Sequence, residues 1–254
     1  MRSILRFLFV LCLLQASTLA QAQEKTEVDV VLILALDVSD SVSKTNYAQQ
    51  ISGYAAAFTD FEVIQTITEG NLGKIGVTLV QWASDHQQAQ SILWHVIGSA
   101  DESYVFSQLI QDMPRAFSKR KVLTDTQISG LTSITGALRF SLKLMGNAPL
   151  IASRYVIDIS GDGFDMFNSA GGVNPLLDQQ RKLACDNGIT INGLAIEEEP
   201  QEHASRRSKL NIEQYYKDHL ICGAGAFVIK VEGMQNFARA VRRKLLLELV
   251  ASND

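Results

Sequence analysis

Two hydrophobic rhythms alternate along this chain. Residues 28–36 (VDVVLILAL) form a near-continuous apolar run, the mark of a strand covered on both faces. Residues 44–61 change to a helical period, with Tyr47, Ile51, Tyr54, Ala55 and Phe58 on one face. After Gly73, residues 75–82 (IGVTLVQW) return to a strand pattern. Residues 90–97 (QSILWHVI) follow a short polar turn, which predicts an antiparallel strand at a sheet edge. Helical patterns over 101–113 and 132–145 come next, the first with Asp101 as a candidate N-cap. A buried strand over 155–159 leads to a helix over 175–185, opened by Asn174 and Pro175. Strands over 189–196 (ITINGLAI) and 226–231 (AFVIKV) precede a closing amphipathic helix over 234–250, with Phe237, Val241, Leu245 and Leu249 on one face.

Strands alternating with helices predict an α/β fold, with a mainly parallel sheet covered by helices on both sides. No linker or repeat divides residues 28–250, so one domain is expected there. In open sheets of this kind ligands bind beyond the carboxyl ends of the strands, which directs attention to the residues after Leu36 and after Ile159.

The first 22 residues stand apart from this pattern. Arg2 and Arg6 are followed by the apolar run 7–14 and by Ala20-Gln21-Ala22, the layout of a signal peptide cleaved after Ala22. The run is too short to span a bilayer, so no transmembrane segment is expected in the mature chain, which is placed in the periplasm or secreted. Cleavage removes two arginines and no acid, taking the formal charge from −4 to −6. An acidic balance argues against a general nucleic-acid binder. Of three cysteines, Cys12 leaves with the leader.

The strand ends carry oxygen. Asp37, Ser39 and Ser41 follow the first strand at alternate positions, so one carboxylate and two hydroxyls converge. Ser160-Gly161-Asp162-Gly163 follows the 155–159 strand, with glycines leaving Asp162 clear of the backbone. Thr132 stands at the entrance of the helix between them, and Thr135 is a substitute one turn further in. Hard oxygen ligands without Cys or His suit Mg²⁺ or Mn²⁺, with Ca²⁺ also possible on this chemistry. Hydroxyls are neutral, so the ion keeps positive charge for an acidic residue of a partner. A blander reading makes Asp37 or Ser43 the cap of the next helix.

Together these positions resemble a von Willebrand factor A-type domain with a metal-ion-dependent adhesion site. In that family a D-x-S-x-S sequence, a threonine and a later aspartate surround the ion, matching Asp37, Ser39, Ser41, Thr132 and Asp162. The serines and threonine usually touch the metal, while the aspartates often act through water. The resemblance implies a Rossmann-like three-layer α/β/α fold with one antiparallel edge strand. The segments IDISGDGFD, ITINGLAI and YYKDHLICGAGAF also resemble an uncharacterised bacterial family of secreted proteins of this type. One position departs from the pattern: Gly161 stands where a threonine usually precedes the last aspartate.

Several residues remain outside that set. Asp158 interrupts an apolar strand and requires a hydrogen bond or an ion pair. Arg115, Lys119, Arg120 and Lys121 form a basic run before Thr132, read either as a solvated loop or as a surface facing an acidic partner. The segment 197–209 leaves another strand tip and is a second candidate for that face. The four histidines show no ligand spacing. Cys185 and Cys222 each precede a predicted strand by four residues and are expected to pair, at the end of the sheet opposite the metal site; two buried thiols are the alternative. Three functional classes follow: a secreted protein-binding module working through a divalent ion, a Mg²⁺-dependent phosphoryl-transfer enzyme with Asp37 as nucleophile, or a metal-free scaffold. The first is favoured over an enzyme, because Ser39 occupies the place where phosphoryl-transfer chemistry wants a second acid.

Overall fold

Strand β1 (Thr26–Asp37) runs through the middle of the sheet, and every residue from Val30 to Asp37 is buried. The computed structural model describes residues 24–117, 132–165, 174–197 and 211–250. The expected signal peptide, the basic residues Lys119, Arg120 and Lys121, and nearly all of the 197–209 segment lie outside the described residues. Strands β2 (Ile75–Trp82), β3 (Gln88–Ile97), β4 (Leu150–Gly161), β5 (Ile189–Glu197) and β6 (Val228–Glu232) complete a sheet of order β3-β2-β1-β4-β5-β6. All neighbours pair parallel except β2 and β3, which pair antiparallel as their short connection requires. This is the expected Rossmann-like α/β/α arrangement, mainly parallel with one antiparallel edge strand.

The continuous apolar run in β1 has a direct cause. Its side chains alternate between two cores. Val30, Leu32, Leu34 and Leu36 enter one core with residues of α1 (Lys44–Ala57), α2 (Phe61–Thr68), α3 (Ala100–Gln111) and α7 (Phe237–Leu249). Val28, Val31, Ile33 and Ala35 enter the other, with residues of α4 (Ile134–Gly146), α5 (Pro175–Asp186) and α6 (Ile212–His219). A strand roofed on both sides has no polar face to show.

Local capping sets the helix boundaries. Ser43 accepts a hydrogen bond from the Asn46 N–H and caps α1, so Asp37 is not needed as a cap. The predicted 44–61 helix is broken, because the Asp60 carboxylate accepts from the N–H groups of Glu62 and Val63 and starts α2 as a separate helix. Asn174 and Pro175 open α5 as the sequence suggested. The closing helix begins later than its apolar pattern, after a single 3₁₀ turn over Met234–Asn236. Helices α2 and α6 are short, and their hydrophobic pattern alone did not announce them.

The two outer strands are irregular. Pairing of β2 with β3 slips around Leu79, and the Thr78 hydroxyl there donates to Ile92 O at 2.6 Å and accepts from Gln90 Nε2 at 3.0 Å. At the other edge, β6 has five residues, and Lys230 pairs with Glu197 and Glu232, each at 2.9 Å.

Asp158 meets the requirement that its burial imposes. Lys244 of α7 reaches it at 2.7 Å and also pairs with Glu248 at 2.5 Å, all three side chains being no more than 1% exposed. Asn192 of β5 donates to Glu248 at 3.1 Å, tying the trio to the next strand. Burial pushes the Asp158 carboxyl up to about 7, against the opposing pull of Lys244. Cys185 and Cys222 form a disulfide, and Cys222 bridges to Ile191 near the start of β5, away from the strand ends that carry Asp37 and Asp162.

Replacing Lys244 by Met leaves two buried carboxylates without their cation. The expected loss is about 3–5 kcal/mol at neutral pH, read from denaturant unfolding, and it shrinks at pH 5 as Asp158 takes up a proton. The disulfide closes a separation of 37 residues. Its reduction is expected to remove roughly 4 kcal/mol by loop-closure arithmetic. Unfolded, unreduced chain prepared without residues 1–22 is expected to show no reactive thiol, and reduced chain two.

Candidate functional site

Asp37 is the last residue of β1, and the chain turns where Val38 N–H donates to Trp82 O at 2.8 Å. In the β1–β4 register Leu36 lies beside Ser160, so Asp37 and Asp162 leave adjacent strands at nearly the same height. The Ser39 N–H donates to Asp37 Oδ1 at 2.7 Å and folds the loop back on the carboxylate. Thr132 arrives from a third segment, one residue before Ser133. That serine caps α4 and anchors it by an N–H bond to Ala83 O at 2.8 Å. Gly163 admits the threonine, for a methyl group there would lie 3.2 Å from Thr132 Oγ1.

The five predicted residues meet. Ser39 Oγ lies 3.0 Å from Ser41 Oγ, Ser41 Oγ donates to Asp162 Oδ1 at 2.7 Å, and Thr132 Oγ1 donates to Ser39 Oγ at 3.3 Å. Asp37 and Ser39 are buried, while Ser41 is exposed and Asp162 half-buried, so the cluster opens to solvent on one side. Thr135 is directed elsewhere. Its N–H and hydroxyl both donate to the buried carboxylate of Asp165, which also accepts from Asn174 Nδ2. That network staples the end of β4 to the starts of α4 and α5, and the sequence reading did not find it.

The electrostatics of Asp37 are unfavourable for an isolated carboxylate. Burial first, and then the nearby charge of Asp162, push its carboxyl from the ordinary 3.8 up to about 8. The Ser39 hydroxyl and the N–H groups of Ser39 and Asp162 oppose that shift without cancelling it. Asp37 Oδ2 is buried and lacks a hydrogen bond of normal geometry. Among the described residues no three His, Cys, Asp or Glu side chains converge, so a cation here would be held by hydroxyls and two carboxylates. Such a donor set fits a hard divalent ion and relieves two acids at once.

Arg115 is tied to the loop that follows β1. Its guanidinium donates to Val38 O at 2.8 Å, Ser39 O at 2.9 Å and Val42 O at 3.0 Å, and lies 5.5 Å from the centre of the Tyr47 ring. These three bonds from one planar group hold the loop carrying Ser39 and Ser41. Its place in a run of basic residues hid this, because carbonyl acceptors leave no mark in a sequence. Tyr216 was missed as well. It is fully buried, and its phenol is kept well above its usual range by burial and by the charges of Asp37 and Asp162, so it stays protonated.

The family of proteins of unknown function DUF1194 matches residues 27–253. The chain belongs to that family. No curated protein matches it by sequence. Among solved structures, it is similar to proximal thread matrix protein 1 from the mussel byssus, with TM-score 0.54 and 15% identity over 89% of this chain and 49% of that one. A second structure of the mussel protein is described as having a zinc-occupied MIDAS motif. The pilus adhesin SpaC of Lactobacillus rhamnosus GG is similar with TM-score 0.56 and 12% identity, over 88% of this chain and 31% of that one. The vWF domain of the pilus tip protein Mfa5 of Porphyromonas gingivalis is matched with TM-score 0.50 and 10% identity, over 89% of this chain and 98% of that domain. This chain therefore spans about half of the mussel protein and nearly the whole of the Mfa5 domain. The DUF1194 chain has a von Willebrand factor A-type fold.

The raised Asp37 carboxyl makes metal-free protein sensitive to pH. Between 3.8 and about 8 the folded state holds a proton that the unfolded chain releases, so stability falls as pH rises through that window. Asp158, raised to about 7, adds in the same direction. Unfolding in chelator is expected to show decreasing stability from pH 5 to pH 8, with a shallower slope in Asp37→Asn.

Proposed function

We propose that this protein is a secreted or periplasmic protein-interaction module that binds a divalent cation at Asp37, Ser39, Ser41, Thr132 and Asp162, and through it an acidic residue of a partner protein. The observation that carries the reading is the joining of five oxygen-bearing side chains from three separate segments into one cluster at the ends of β1 and β4. Mg²⁺ or Mn²⁺ fits best, because the donors are small, neutral or singly charged oxygens, and Ca²⁺ is the next choice. When bound, the ion supplies an open position with residual positive charge. Ser39, Ser41 and Thr132 are the residues to touch it. Asp37, deeper in the sheet, balances its charge and orients the loop through the Ser39 N–H.

Phosphoryl transfer draws less support from the same geometry. A nucleophilic Asp37 needs an accessible oxygen, and Asp37 is 0% exposed. A similar fold occurs in the pilus adhesin SpaC and in the vWF domain of the pilus tip protein Mfa5. Placement outside the cytoplasm rests on the leader-like residues 1–22, and among the described residues no helix is long and apolar enough to cross a membrane.

Mg²⁺ or Mn²⁺ at about 100 times its dissociation constant is expected to stabilise the fold by roughly 2.7 kcal/mol, seen as a rise in Tm. Ser39→Ala is expected to abolish that rise while leaving the metal-free Tm nearly unchanged. A pull-down from the extracytoplasmic fraction is expected to retain a partner with Mg²⁺ and to lose it with chelator. Equal melting of native chain and Ser39→Ala in saturating metal would count against the reading.

A further inference from the structure

The space beside Gly161 is occupied from another direction. A methyl group placed on Gly161 would lie 2.8 Å from the Tyr216 hydroxyl, 3.1 Å from Asp37 Oδ2 and 3.2 Å from Trp82 Cζ2. The Tyr216 hydroxyl and Asp37 Oδ2 are both buried and both without a normal hydrogen bond. One is a protonated donor and the other an acceptor, and they flank the same point. The route of the tyrosine is also cleared on the neighbouring strand, because a methyl group on Gly193 of β5 would lie 2.7 Å from Tyr216 Cδ2. Two glycines on adjacent strands thus open a slot, and α6 sends a phenol through it to the buried side of Asp37.

We propose that Tyr216 is a positioning residue for the cation site, its hydroxyl serving Asp37 Oδ2 in place of a side-chain hydroxyl at position 161. The inference rests on the cation-binding reading above. Burying a tyrosine hydroxyl with no partner is costly, and so is burying a carboxylate oxygen with none. The phenol is the donor placed beside the one Asp37 oxygen that the Ser39 loop leaves unserved. Helix α6 becomes part of the site through this single side chain.

The test uses the full mature chain with its disulfide intact and Mn²⁺ as the probe, followed by titration and by thermal unfolding in chelator. Tyr216→Phe removes one unpartnered hydroxyl, so its metal-free Tm is expected to equal or exceed that of the native chain. Its Mn²⁺ affinity is expected to fall about tenfold, the usual scale for losing a residue that supports a ligand. Adding Gly161→Ser to Tyr216→Phe returns a hydroxyl to the same point and is expected to restore most of the affinity, which a purely structural tyrosine would not allow. Gly161→Ala, which drives the phenol away while keeping it, is expected to weaken Mn²⁺ binding as well. Native Mn²⁺ affinity in folded Tyr216→Phe or in Gly161→Ala overturns the role of Tyr216 and leaves the cation site standing. Absence of Mn²⁺ binding in the native chain overturns both.

Discussion

A carboxylate buried at the end of a fully covered strand is the constraint on which the rest of this structure depends. Asp37 cannot be hydrated where it lies, and its nearest charge, Asp162, has the same sign. In the absence of a cation the low-energy answer is a retained proton. With one, the same burial becomes an advantage, because opposite charges attract more strongly away from water. The loop after β1, the entrance of α4 and the end of β4 all meet at that one point, bonded to one another through Ser41–Asp162 and Thr132–Ser39 and each tied down besides. Arg115 grips the first, Ala83 anchors the second, and Asp165 pins the third.

Rigidity elsewhere in the molecule is distributed to match. The Asp158–Lys244–Glu248 trio fastens α7 to the middle of the sheet, and the disulfide joins the end of α5 to the segment leading into β6. Neither lies in the loops that carry the oxygen cluster. Charge inside the core is accepted where it locks a helix in place, and the covalent tie holds the last turn of α5. The oxygen cluster is left with one open side and a frame tied together beneath it.

Much of this was legible in the sequence, and the reasons are specific. The run through β1 could only be a strand roofed on both faces, and a strand ending in Asp-x-Ser-x-Ser points alternate side chains to one place. The isolated Asp158 announced a buried partner without naming Lys244, because that partner lies 86 positions away and its helix looks like an ordinary amphipathic surface helix. Arg115 was read as surface because a basic run is usually solvated, and three carbonyl acceptors cannot be seen in letters. The helix over 44–61 was read through a break because Asp60 competes for the backbone only where the chain has room to turn. Gly161 was visible as a missing hydroxyl, but the tyrosine that fills its place comes from a helix too short to show a period.

The irregular outer strands have a consequence for how such a molecule meets others. An open sheet invites another strand to add to its rim, through rows of unpaired N–H and C=O groups. Here one rim is bent where β2 and β3 slip past each other, and the other is five residues long and guarded by Lys230 between two acids. Self-stacking into ribbons is disfavoured from both directions. Strand addition at either rim is thereby discouraged, while the oxygen cluster at the strand ends keeps its open side.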